Sequence, residues 1–128
     1  MGEGYMTRLS WAFSLTAILL IGIMRPAASH HSHSMFDHGQ EVSITGTVTN
    51  FSFKNPHVFL YVDVENASGD IVNYWIEMGP IPRVIQRGVG PKTFQPGDAI
   101  TVNMYPLTDG RPGGSYHNAI VADGKVYN

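Results

Sequence analysis

The sequence predicts an all-β domain with one short helix, a small Greek-key barrel behind an N-terminal leader. Three observations predict it. From Glu41 onward, apolar residues alternate with others at a period of two, as strands with one buried face require. The alternating runs are short and separated by Asn-Pro, Gly-Pro, Pro-Gly-Asp and Asp-Gly breaks. At 128 residues and 43% apolar content, the chain suits one domain and carries too much hydrophobic material to stay unfolded. Cysteine is absent, which excludes disulfides, thiolate metal sites and a cysteine nucleophile.

The leader comes first. Residues 1–8 carry Arg8, residues 9–24 carry no charge, and Arg25-Pro26 ends the run before Ala27-Ala28-Ser29. A basic start, an apolar middle and a small-residue end make a secretory signal peptide over residues 1–29, so the protein is expected in the periplasm or secreted. The competing reading is an uncleaved anchor. The run is shorter than the roughly 18–20 residues a spanning helix needs, and Ser10, Ser14 and Thr16 interrupt it. No later segment resembles a membrane span, so no membrane association is expected after cleavage. Cutting after Ser29 places Ala27 and Ser29 at the small-residue positions, whereas cutting after Ala28 places Pro26 at the outer one.

Residues 30–40 are polar and aperiodic and read as an arm. Residues 41–128 form the barrel domain. Val42, Ile44, Gly46 and Val48, then Phe51 and Phe53, make a long first strand whose internal glycine marks a bulge or sharp coil. Lys54-Asn55-Pro56 breaks it. In the second strand, 57–64, Val58, Leu60, Val62 and Val64 share one face, with Phe59 and Tyr61 on the other. Residues 66–70 are a hairpin connection. The third strand, 71–78, sets Val72, Tyr74, Ile76 and Met78 against Trp75 and Glu77. Residues 81–87 suit a short helix, with prolines near the start and Gly88 past the end. Pro96-Gly97-Asp98 is a tight turn before a fourth strand at 99–105. Residues 106–115 read as an exposed loop, 116–122 as a fifth strand, and 125–128 as a terminal strand after Asp123-Gly124. Three strands, a helix and two or three strands, with a long glycine-kinked first strand, match an OB-like barrel of five or six strands. Another small β-sandwich or open barrel is the alternative.

The ordered set His30-His31-Ser32, Phe36-Asp37, Gly46-Thr47-Val48, Asn55-Pro56-His57, Trp75-Ile76-Glu77, Pro96-Gly97-Asp98 and Asp109-Gly110 resembles a family of small exported bacterial proteins of unknown function. The resemblance covers nearly all of the chain after the leader. His33 and His38 are additional, and Phe53 stands where the family pattern has tryptophan. The resemblance implies an exported β domain and no activity.

Histidine carries the best chemical signal. His30, His31, His33 and His38 crowd one short stretch of a chain with six histidines. Imidazole is the commonest protein ligand for copper, zinc and nickel. After cleavage behind Ser29, the new α-amine and the His30 ring can chelate one ion. A second imidazole completes a three-nitrogen set that favours Cu(II). After cleavage behind Ala28, Ser29-His30-His31 places histidine third, suited to square-planar Cu(II) or Ni(II). The expected metal set is His30, His31, His33 and His57, with copper first and zinc or nickel as alternatives. The competing reading is a solvated histidine tail that binds metals weakly. Met35 reads as a staple of the arm onto the barrel.

Pro56 fixes the direction of His57, which reads either as a ligand or as a lock on the Asn55-Pro56 turn. Asp37 and Glu77 are candidates for orienting a ligand ring; Asp37 equally suits a turn cap, and Glu77 a salt bridge. Trp75, Phe53 and Tyr61, with Phe59 and Tyr105, suggest a ligand face of the kind OB barrels present, or simply core. His117 reads as packing. No nucleophile elbow, phosphate loop or His-Glu-x-x-His occurs, and no Lys/Arg block that would mark a nucleic-acid footprint.

The expected function is therefore exported transition-metal binding rather than catalysis, with the metal ion and another periplasmic protein as partners. The rival is a metal-free module that holds a glycan, peptide or partner protein on the Trp75 face and the 110–115 loop. A copper oxidoreductase is the third reading.

Overall fold

The computed structural model describes residues 35–128. The expected leader at 1–29, the three histidines His30, His31 and His33, and the first part of the expected arm lie outside the described residues. The elements are β1 (Val42–Ser52), β2 (Val58–Glu65), β3 (Ile71–Gly79), α1 (Ile81–Gln86), β4 (Ala99–Pro106), β5 (Gly113–Val121) and β6 (Val126–Tyr127). The hydrogen-bonded order is β3-β2-β1-β4-β5-β6, and a β3–β5 pairing closes the first five strands into a barrel. The closing pair is parallel, with Trp75 opposite Gly113, Ile76 opposite Gly114 and Glu77 opposite Ser115. The other pairs are antiparallel. This is the predicted small OB-like barrel, with β6 added at the edge of β5.

β1 serves two neighbours because it is long and coils. Its first half pairs with β4 and its second half with β2. Gly46 sits where the two halves meet. A Cβ there would lie 2.0 Å from the Asp63 carbonyl oxygen, so only glycine lets β2 cross this closely. Thr49 is the extra residue of a bulge, since Val48 pairs with Val62 and Asn50 with Tyr61. The Pro96-Gly97-Asp98 turn fastens to the same spot. Gly97 N–H donates to the Val48 carbonyl (2.8 Å), and Val48 N–H to that of Asp98 (2.9 Å).

The inward faces are the predicted ones. Val58, Leu60 and Val62 from β2 and Ile76 and Met78 from β3 are fully buried, with Val48, Ile100, Val102, Met104 and Ala119 from the other strands. Each such side chain contributes about 1.5–3 kcal/mol by leaving water. Val84 of α1 and Val89 and Phe94 from the following segment complete this core. Phe94 meets Phe51 and Tyr127 edge-on. No buried polar side-chain atom lacks a partner among the described residues.

Two expectations change. Gly113, Gly114 and Ser115 belong to β5 and not to an exposed loop, and both glycines are buried. A Cβ on Gly113 would sit 2.6 Å from the Trp75 carbonyl oxygen, and one on Gly114 2.4 Å from that of Tyr105. What reads as loop flexibility is the absence of side chains where strands touch. The connection is shorter, at 107–112, and held by Arg111 donating to Asp109. The second change concerns the arm. From Phe36 onward it lies on the barrel, with Phe36 bridged to Leu107 and both buried outside the main core. Asp37 N–H donates to the Pro106 carbonyl (2.8 Å), and Thr108 N–H to that of Met35 (2.9 Å). The staple is the Phe36 ring; the Met35 side chain is exposed.

Among the described residues no helix is long and apolar enough to cross a membrane.

Candidate functional site

His57 directly precedes β2, and Glu77 lies near the end of β3. The register between these strands slips there, with Val58 opposite Gly79 but Phe59 opposite Glu77. At this irregularity His57 Nδ1 meets Glu77 Oε1. A carboxylate only accepts, so the ring proton belongs on Nδ1 and Nε2 points elsewhere. Glu77 is the more enclosed partner, its side chain 17% exposed against 35% for His57. The His57 ring is held by a carboxylate, which fits the readings of Glu77 as a ring-orienting group or a salt-bridge partner. The Asn55-Pro56 peptide bond is cis.

A cleft of about 310 Å³ opens beside the pair. The docked arm supplies Phe36 and His38, β4 supplies Tyr105, β5 supplies Ser115 and Tyr116, and the α1 segment supplies Arg83 and Arg87. The walls are aromatic. His38 lies 4.9 Å from Tyr105 between ring centroids, and Tyr105 stacks on His117 at 5.5 Å. His117 is anchored in turn by Glu41, with Nδ1 to Oε2 at 2.9 Å. The Arg87 guanidinium lies 5.5 Å over the Tyr116 ring. Tyr116 donates its hydroxyl to the Tyr127 carbonyl (2.7 Å), and burial pushes its phenol well above the ordinary tyrosine value, with Arg87 opposing the shift.

Asp37 does not join His57. Its Oδ1 accepts from Gly39 N–H at 3.0 Å, which makes it the turn cap that the sequence offered as its second role. The aromatic candidates separate. Phe59 stands between Tyr61 (6.4 Å) and Trp75 (6.1 Å) on the outward side of β2 and β3. Phe53 packs on Phe51, against the core. Tyr105 belongs to the cleft. Trp75 also meets Phe36 edge-on at 6.4 Å.

Chemically, the pair can hold one imidazole nitrogen in a fixed direction. Among the described residues no group of three or more histidine or carboxylate side chains is close enough to hold a metal unaided. Sequence reasoning missed Arg83, Arg87 and Tyr116. One signal was available: Arg83 and Arg87 are four apart on a helical segment, hence on one side of it.

The chain matches, over residues 17–117, a family described as a family of unknown function (DUF6152). No curated protein and no solved structure is significantly similar to it.

Proposed function

Since the chain belongs to this family of unknown function, whose description names no activity, we propose from the site itself that it is an exported binder of one transition-metal ion. Copper is the first candidate and zinc or nickel the alternatives. The observation that carries this reading is the His57–Glu77 pair. A carboxylate on one ring nitrogen is the usual outer partner of a metal-ligating histidine; it fixes the tautomer and leaves the other nitrogen for the ion. His57 alone is not a site. His30, His31 and His33 precede Phe36 by three to six positions, and Phe36 lines the same cleft as His57. At about 3.5 Å per residue, that tether reaches roughly 10–20 Å, which is enough to bring the new N-terminus to His57. The basic start, apolar middle and small-residue end of residues 1–29 support export, and carriage or buffering of the ion is the role that fits.

The test is Cu(II) affinity, by competition, of protein collected after export, with its N-terminal residue read by mass spectrometry. One tightly held ion per chain is expected. His30→Ala with His31→Ala should abolish it, and Glu77→Gln should weaken it about 10–100-fold. Several loosely held ions, or an affinity indifferent to His57→Ala, would end the proposal.

The rival reading, a metal-free module for a glycan, peptide or partner protein, draws on the row Tyr61, Phe59 and Trp75. It predicts a tryptophan fluorescence response to cell-wall fragments and none to copper.

A further inference from the structure

We infer that the cleft beside His57 is a binding site for a small anionic molecule, a carboxylate or phosphate borne on a compact apolar body, held by Arg83 and Arg87. This inference does not depend on metal binding.

The argument starts from charge. Among the described residues the arginine–carboxylate pair is Arg111–Asp109, while Glu77 and Glu41 meet the rings of His57 and His117. Of the three arginines there, Arg111 pairs with Asp109, while neither Arg83 nor Arg87 lies within ion-pair distance of a described carboxylate. Both line the one cleft. Acidic residues outnumber basic ones in the chain, so two guanidinium groups left without carboxylates at one place call for a reason. Arg87 has a structural one, its position over Tyr116. Arg83 has none: its stem crosses the glycine at the end of β3, Cδ lying 3.6 Å from where a Gly79 Cβ would be. The one carboxylate in the cleft, Glu77, is already taken up by His57.

The geometry then selects the ligand. Guanidinium groups present paired N–H donors that match the two oxygens of a carboxylate or phosphate. Arg83 and Arg87 are one helical turn apart, so they approach an oxyanion from one side. The Phe36 and Tyr105 rings form apolar walls, and Ser115 adds a hydroxyl. The volume of about 310 Å³ sits at the small end of ligand pockets, roughly 300–1,000 Å³. A bare inorganic anion would leave the aromatic walls wet. A small aromatic acid uses both halves of the cleft.

The experiment titrates the full exported protein, freed of metal on a chelating resin, with benzoate, phenyl phosphate and neutral benzamide. Amide and aromatic NMR shifts locate the ligand. Saturable shifts at Tyr105, Ser115 and Tyr116 are expected with the two anions, with benzamide at least tenfold weaker. Arg83→Gln should weaken the anions about tenfold, as loss of a charged hydrogen-bond partner does. Arg87→Lys, which keeps the charge and the cover over Tyr116 but loses the paired donors, should also weaken them. Lys92→Gln, the same change of net charge away from the cleft, should leave them unchanged. Binding of benzamide equal to that of benzoate, binding untouched by Arg83→Gln, or no shift at millimolar anion would overturn the inference. The copper measurements are made without these anions, so either proposal can fail alone.

Discussion

Replacing Phe36 by alanine should release the arm from the barrel without unfolding it. Phe36 is 7% exposed; its backbone bridges to Leu107, its ring meets Trp75 edge-on, and it lies outside the main core. Full burial of such a side chain contributes about 1.5–3 kcal/mol, and a cavity left behind raises the cost of Phe→Ala to about 3–5 kcal/mol in a closed core. Here the site can collapse or flood, because one wall is the arm itself, so about 2–3 kcal/mol is expected. Its other ties include Asp37 N–H to Pro106, the Thr108 N–H and hydroxyl to Met35, and the ring contacts of His38. Each hydrogen bond contributes about 0.5–1.5 kcal/mol net. The ring is therefore the largest single contribution named here to the docking of the arm. Hydrogen exchange at the Asp37 and Thr108 amides should accelerate about 30–100-fold, while Leu60 and Val102 amides change far less. Urea unfolding should show the same slope within error and a lower midpoint. If the two arm amides stay as protected as in the parent, or if the barrel amides lose protection equally, the arm is not an independently docked segment.

Two further outcomes follow from the same packing. Gly46→Ala should cost about 3 kcal/mol or more in chemical denaturation, since the 2.0 Å approach to the Asp63 carbonyl is to backbone that cannot step aside; a loss under 1 kcal/mol would contradict the crossing described. Burial raises the Tyr116 phenol above its unfolded value of about 10. The unfolded chain then releases this proton first, so its contribution to stability is complete below pH 10 and falls by about 1.4 kcal/mol per unit above it. Between pH 9 and 11 the unfolding free energy should lose about 1.4 kcal/mol in total through this group, and Tyr116→Phe should remove that loss.

Much of the barrel was legible because its signals are local. The alternation of Val58, Leu60 and Val62 against Phe59 and Tyr61 fixes which face of β2 is inside whatever the neighbouring strand. The Pro96-Gly97-Asp98 turn and the Asn66 hairpin announce themselves by residue type; Asn66 Oδ1 accepts from both Ser68 and Asp70 N–H. Gly113 and Gly114 were misread because glycine has two uses, and local sequence does not say whether the missing Cβ makes room for a turn or for a passing strand. Phe36 was read as part of a polar arm because a single aromatic among polar residues has no period; its burial depends on Leu107, far along the chain. The site divides similarly. His57 and Glu77 each stood out, yet their pairing is a property of β2–β3 register. Arg83 and Arg87 become significant only once the carboxylates are seen to be engaged elsewhere.

The closing pair of strands has a consequence for order of assembly. Until residues 113–115 lie beside 75–77, β3 and β5 each present an open edge, a template for pairing with another chain. The same contact sets Ser115 against Glu77 and brings one wall of the cleft to the other. A form without this seam lacks one wall of the cleft, and the docked arm supplies another. Ligand and closure are linked: whatever occupies the cleft holds the seam shut, and a chain that has lost its seam has nothing to offer a ligand.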